Sequence, residues 1–236
     1  GWFGFNPGST LAAIGNRFAE VVLVTNLAAA AGVIAAAATI YVIQKKLDIG
    51  MAGNGAIAGL VAITAPSGFV EYWAAPIIGA VAGVIVVVGV LAIEKVLDDP
   101  VGALSAHGLA GIWGTLSCGI FTSPRLAAVG KPGLVYSGSF HQFGAQALGV
   151  GAAFVAVFVV SWVVFWAIKK TIGLRVTEEE EDAGLDIAEH GMFGYPEQFI
   201  PDTEIGAGST GPMADRLRGS GSPAPVTAMT AGEVTA

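Results

Sequence analysis

The stretch Asp98 to Gly114, DDPVGALSAHGLAGIWG, passes from two acids and a proline into an apolar run that carries His107 near its middle. An ionisable group at bilayer depth is expensive and becomes a functional hypothesis by default. Imidazole has an unperturbed pKa close to neutrality, and it accepts a hydrogen bond on one nitrogen while donating on the other. Burial favours its neutral form, which can guide a small polar molecule or relay a proton through an apolar channel. Gly108 and Gly111 beside it, with Ala103 and Ala106 on the preceding turn, leave space around the ring. The alternative is a histidine hydrogen-bonded to a neighbouring helix purely for packing. Metal binding is the weaker reading, because no second His, Cys or carboxylate lies at ligand spacing on this helix. His141 and His190 read as structural. No nucleophile and base pair accompanies His107, so an intramembrane enzyme is disfavoured and no cofactor is expected.

The elements that must position this group are membrane helices. Hydrophobic residues make up 54% of the chain and charged residues 12%, which excludes an ordinary soluble domain. A bilayer needs about 20 apolar residues per helix. Such runs extend from Val21 to Val42, Ala74 to Ile93, Val101 to Phe121 and Phe143 to Ile168. A fifth, Met51 to Ala65, is short and interrupted by glycines, so it reads as a helix with an irregular end before Pro66. Trp2 to Phe5 reads as the last turn of another helix, and the abrupt start at GWFGFNPGST suggests a cut through a longer chain. Small residues four apart, Gly55 with Gly59 and Gly79 with Gly83, allow close helix approach and predict a tight bundle. The single cysteine, Cys118, excludes a disulfide framework.

Orientation follows from Lys and Arg in the short loops. One set holds Lys45, Lys46, Lys95, Lys169, Lys170 and Arg175; the other holds only Arg17, Arg125 and Lys131. This places the C-terminus in the cytoplasm and NPGST outside. Up to Lys170 the chain has a net charge of +2, and from Thr171 onward −9, so its acidity belongs to the tail. The run TEEEED, Thr177 to Asp182, reads as a solvated charge cluster. AGLDIAEHGMFGYPEQF mixes apolar, aromatic and charged residues as a short docking element does, and the composition beyond Pro201 predicts disorder.

GWFGFNPGS, GLVAIT, DDPVGALSAHGLAGIWGTLSCGIF and GLDIAEHGMFGYP occur in this order. Together they resemble the ammonium transporter family, Amt/Mep/Rh, on its Amt branch, from Gly1 to about Pro196. The resemblance implies an all-α integral membrane helical bundle of two inverted halves plus a final long helix, assembled as a homotrimer with one pore per subunit. This chain resembles the end of the sixth helix and the seventh to eleventh, with the N-terminal half missing. Residues 1–172 are then the transmembrane domain, 173–200 a cytoplasmic regulatory element and 201–236 a disordered acidic tail.

The resemblance also implies residue roles. Phe5 resembles one of two stacked phenylalanines closing the pore mouth, and Ser9 the hydroxyl that helps bind ammonium outside it. Trp2 lines the pore below that gate, and His107 resembles the second of two paired lumen histidines. Thr64 is a pore-lining candidate whose alternative is a packing hydroxyl. In the tail, Asp186, Glu189, His190, Gly191 and Tyr195 belong to the regulatory element. Ala188 stands where plant relatives have a phosphorylatable threonine, and Gly102 where some bacterial members carry an acid. The implied function is transport of ammonium or ammonia at the cell membrane, with a PII-type regulator as a partner at the cytoplasmic face and no role for nucleic acid. The rivals are a neutral-gas channel of the Rh type and an ammonium sensor that signals through its tail.

Overall fold

In lipid, every backbone N–H and C=O must be satisfied within the protein, so uncharged apolar runs become helices. The computed structural model describes residues 1–13, 15–99, 101–191 and 194, and among these there are helices and no strands. α1 is Trp2–Gly8, α2 Asn16–Gln44, α3 Ile49–Thr64 and α4 Ala74–Ile93. A π-helical turn, Leu104–Leu109, then runs directly into α5, Ala110–Phe121. α6 is Leu134–Ser137, α7 His141–Thr171, α8 Glu178–Ala183 and α9 Leu185–His190. α2, α4 and α7 are long and apolar enough to cross a membrane, and α3 is a shorter apolar helix.

The bounds of α4 are those read from the sequence, while α2 and α7 exceed their expected ranges at both ends. α1 continues through Pro7 to Gly8, beyond the expected stop at Phe5. The expected span from Val101 is corrected. Gly102 takes φ +70, which a helix cannot contain, so helical structure starts only at Leu104. Asp48 starts α3 because its Oδ1 accepts the Met51 amide at 2.9 Å, and Lys45, at φ 59, closes α2 in a left-handed turn.

Small residues decide the packing. α2 lies against both α3 and α4, and it does so through Ala28 and Gly32. A Cβ added at Gly59 or Gly79 would strike the Ala28 carbonyl, and one at Gly55 or Gly83 would strike that of Gly32. The two pairs with four-residue spacing therefore grip the same stretch of α2 from two sides, as the sequence pattern requires. Around this grip Val24, Ala36, Ile40, Ala58, Ile78 and Val86 are buried.

The described residues form two compact units that divide within α7, after Val159. In the first, α7 begins beside α5, where Phe143 backbone abuts Gly119 and the Gln142 Oε1 accepts the Lys131 amide at 2.9 Å. No residue of α7 is buried. In the second unit, α7 carries exposed Trp162, Phe165 and Trp166 and is followed by α8 and α9. The acidic run is exposed, as expected, but it is also helical. Thr177 and Glu180 form a reciprocal capping box, and the acids sit in the first turn, where the helix dipole favours them. The residues from 201 to 236 lie outside the described residues, as does Tyr195.

Candidate functional site

His107 is placed by the loop before it. The Asp99 Oδ2 accepts the Leu104 amide at 3.1 Å, and the Asn54 amide of α3 donates to the Val101 carbonyl at 3.2 Å. Between them Gly102 turns the chain through its positive φ into the π-helical turn. A π turn inserts one extra residue into a helix and occurs often at functional sites. Here it presents the imidazole, exposed on this chain, to an apolar cleft of about 460 Å³. Gly108, Gly111 and Thr115 form one wall of the cleft, and Val150, Ala153 and Phe154 of α7 form the other.

The space around the ring comes from Gly108 and Gly111, as expected, whereas Ala106 turns into the core. The Thr115 hydroxyl is committed to the Gly111 carbonyl at 3.0 Å. The His107 side chain makes no hydrogen bond among the described residues, so both ring nitrogens remain free for a guest. Those residues contain no cluster of His, Cys, Asp or Glu able to hold a metal ion.

Trp2 and Thr64 are brought together. The Trp2 Nε1 donates to the Thr64 hydroxyl at 2.8 Å, and that hydroxyl donates in turn to the Leu60 carbonyl at 2.7 Å. Thr64 thus has its proton engaged in α3 and an oxygen lone pair engaged by the indole. Trp2 has its π face and edge left to offer, not its N–H. One turn further along α1, the Ser9 hydroxyl donates to the Phe5 carbonyl at 2.8 Å. This leaves Ser9 lone pairs free to accept from a cation's N–H, and Phe5 itself is 62% exposed. None of Trp2, Phe5, Ser9 and Thr64 lines the His107 cleft. α1 is fixed to α2 by the buried Asn6, whose amide donates to Thr25 at 3.2 Å.

At the same end of the bundle as Thr64, the start of α2 and two loops are tied by charge. Arg125 holds Glu71 in a two-pronged contact, Nε to Oε1 at 3.1 Å and Nη2 to Oε2 at 2.9 Å, and reaches Glu20 at 3.2 Å. Ser123 donates to Glu71 at 2.6 Å, and Glu20 also pairs with Arg17 at 2.8 Å. The Arg125 guanidinium first, and the Ser123 hydroxyl second, hold the Glu71 carboxyl below its ordinary range. Arg125 is pushed above its own ordinary value by the same contacts.

In the tail, the Asp186 carboxylate accepts the Gly194 amide at 3.1 Å, and Gly191 takes φ +66 just past α9. Glu189 and His190 are exposed at the end of that helix.

Sequence reasoning missed three features. The first is the α7 wall of the cleft, whose only signal is the i, i+4 aromatic pair Phe154 and Phe158, stacked at 5.8 Å. The second is the Arg125 hub, for which no local signal exists, because its partners lie 54 and 105 residues away. The third is the capping box of α8, which the pattern Thr-x-x-Glu does announce.

Residues 1–195 match the family model described as Ammonium Transporter Family. Ammonium transporter Amt2 of Archaeoglobus fulgidus is 46% identical over 87% of the chain and 45% of its own length. The ammonium transporter of Bacillus subtilis is 39% identical over 84% and 49% respectively. Among solved structures, a protein described as Sensor Amt Protein superposes with a TM-score of 0.70 at 40% identity, over 80% of this chain and 46% of that one. Mep2 of Candida albicans superposes with a TM-score of 0.69 at 29% identity, over 76% and 41%. The chain spans about half the length of the curated relatives it matches.

Proposed function

This chain belongs to the ammonium transporter family, and from that premise we propose that it forms one wall of a pathway that carries ammonium nitrogen across the cell membrane as neutral ammonia. The observation that carries the reading is an imidazole with both nitrogens free, facing an otherwise apolar cleft. An ammonium-sized ion moved into a medium of low dielectric costs of order 20 kcal/mol in the idealised limit, so an apolar passage cannot carry it unchanged. The cation is met first by the Phe5 face and the Ser9 oxygen, an aromatic face contributing about 0.5 to 2 kcal/mol. Once it gives up a proton, ammonia passes along the cleft and exchanges hydrogen bonds with His107. Potassium has no proton to give up and is excluded. This chemistry is transport, with no bond of the substrate's nitrogen to carbon made or broken.

The Lys and Arg bias supports a cytoplasmic C-terminus, with Phe5 and Ser9 at the outer mouth. The working unit is a homotrimer, and the element containing Asp186, Glu189, His190, Gly191 and Tyr195 docks at its cytoplasmic face, where a PII-type protein is a fitting regulator. A second reading, an ammonium sensor, draws support from the 40% identity to a protein described as a sensor. It differs in binding ligand without flux.

The test replaces His107 by Ala in the full-length protein in a strain without other ammonium transporters. Methylammonium uptake should collapse or lose its discrimination against potassium. Unaltered flux and selectivity would remove His107 from the pathway, and ligand binding without any uptake by the unsubstituted protein would favour the sensor.

A further inference from the structure

The π-helical turn that carries His107 rests on α4 at a place where a wider helix can fit. Gly89 faces it: a Cβ there would lie 2.8 Å from the Leu109 Cδ1, 2.9 Å from the Ser105 Oγ and 3.1 Å from the Ser105 Cβ. Cβ atoms essentially never sit within 3.0 Å of another heavy atom, so a side chain at position 89 must push aside the Leu109 and Ser105 side chains of the turn.

Ser105 itself is abnormal. It is fully buried, and among the described residues its Oγ has no hydrogen-bond partner. Elsewhere in the bundle, buried or half-buried hydroxyls bond back to the carbonyl four residues earlier, as Thr39, Thr64, Thr115 and Thr122 do, or three earlier, as Ser67 and Ser117 do. For Ser105 the first carbonyl belongs to Val101, which is turned toward the Asn54 amide, and the second to Gly102, which accepts the Ala106 amide. The Ser105 carbonyl in its turn accepts from the Ala110 amide, five residues on, which also reaches the His107 carbonyl. The orphan hydroxyl follows from the bend at Gly102, which turns the Val101 carbonyl to Asn54, and the five-residue bond from the extra residue in the turn. A helix that collapsed to the α register would rotate every side chain after the insertion by about 100° relative to those before it. His107, inside the turn, would leave its present direction.

We propose that Gly89 and Ser105 are positioning residues for His107: the gap at Gly89 admits the π turn, and the π turn aims the imidazole into the cleft. The proposal rests on the reading of His107 as part of the transport path. Gly89 touches neither cleft nor guest and acts only through the shape of the turn.

The test uses the full-length protein with 15N-labelled histidine, so that the three imidazoles of this chain, His107, His141 and His190, report separately. Gly89→Ala should shift the His107 resonances and leave those of His141 and His190 in place. It should also lower methylammonium uptake at least about tenfold, as expected for a reacting group displaced by an ångström or so. Adding Ser105→Gly removes two of the three contacts and leaves only the Leu109 Cδ1, the free end of a flexible side chain, so it should restore both the resonances and uptake. If Gly89→Ala fails to accumulate in the membrane, Ser105→Thr brings the extra methyl from the opposite side and should produce the same shift and loss. His107 resonances unchanged by the added methyl, or an equal defect with and without Ser105→Gly, overturn the proposal. Resonances that shift and recover while uptake stays constant uphold the positioning role and instead sink the transport role of His107.

Discussion

Gly102 offers a quantitative test of how the His107 segment is held. Gly102→Ala asks an L-residue to adopt φ +70, a conformation that costs roughly 1–2 kcal/mol outside glycine. It also drives a Cβ to 2.5 Å from the Val90 Cγ2 and 3.1 Å from the Asn54 Nδ2. Overpacking of this kind typically adds about 1–3 kcal/mol. The sum, about 2–5 kcal/mol, is severe for a protein whose whole margin is of order 10 kcal/mol. Because Asn54 also holds the Val101 carbonyl, the distortion reaches the start of the π turn. Equilibrium unfolding in mixed detergent with increasing SDS measures the loss, and Val90→Ala separates its parts. Beside the smaller residue, Gly102→Ala should cost only the backbone share, about 1–2 kcal/mol. An aspartate at 102 should meet the same Val90 and Asn54 contacts as alanine and likewise lose stability. A loss under about 0.5 kcal/mol for Gly102→Ala, within the range of an ordinary surface substitution, would refute the argument.

Thr64→Val removes the acceptor of the Trp2 indole while keeping the shape of the side chain, and should cost about 1–3 kcal/mol and red-shift tryptophan emission as the N–H seeks water; unchanged emission and stability would show that the contact is incidental. The folded-state carboxyl of Glu71 titrates below its unfolded range, so its ion pair contributes fully above about pH 4.5 and is lost as pH falls through the lowered value. Glu71→Gln should therefore flatten the acid limb of the stability curve and leave the neutral region nearly parallel. A mutant that loses stability equally at pH 3.5 and pH 7 would contradict that assignment.

Much of the bundle is written locally. Twenty uninterrupted apolar residues give α4, and glycines spaced by four reveal how α2, α3 and α4 meet, because close approach needs no information beyond side-chain size. The Thr177 cap is equally local. The direction of His107 is not, since a π turn leaves no periodic trace and depends on Gly89, which lies eighteen positions before it. The cleft's far wall, on α7, and the Arg125 hub depend on chain separations that no window of sequence contains. Trp2 and Thr64 could each be picked out by type, but that they occupy one another's polar groups emerges only when α1 and α3 are side by side.

The brevity of α3 bears on how the membrane receives this chain. Its 16 residues extend about 24 Å, short of the roughly 30 Å hydrocarbon thickness. Met51, Gly55, Ala58, Gly59, Ala62 and Ile63 are buried among neighbours. Such a segment gains little by partitioning into lipid alone. It gains most once α2 is beside it and α4 has emerged to close the other side. During synthesis α3 should linger at the insertion machinery until its partner arrives, then leave with it as a hairpin. A charge introduced at Gly79, on α4, would on this logic strand α3 as well, even though α3's own sequence is untouched.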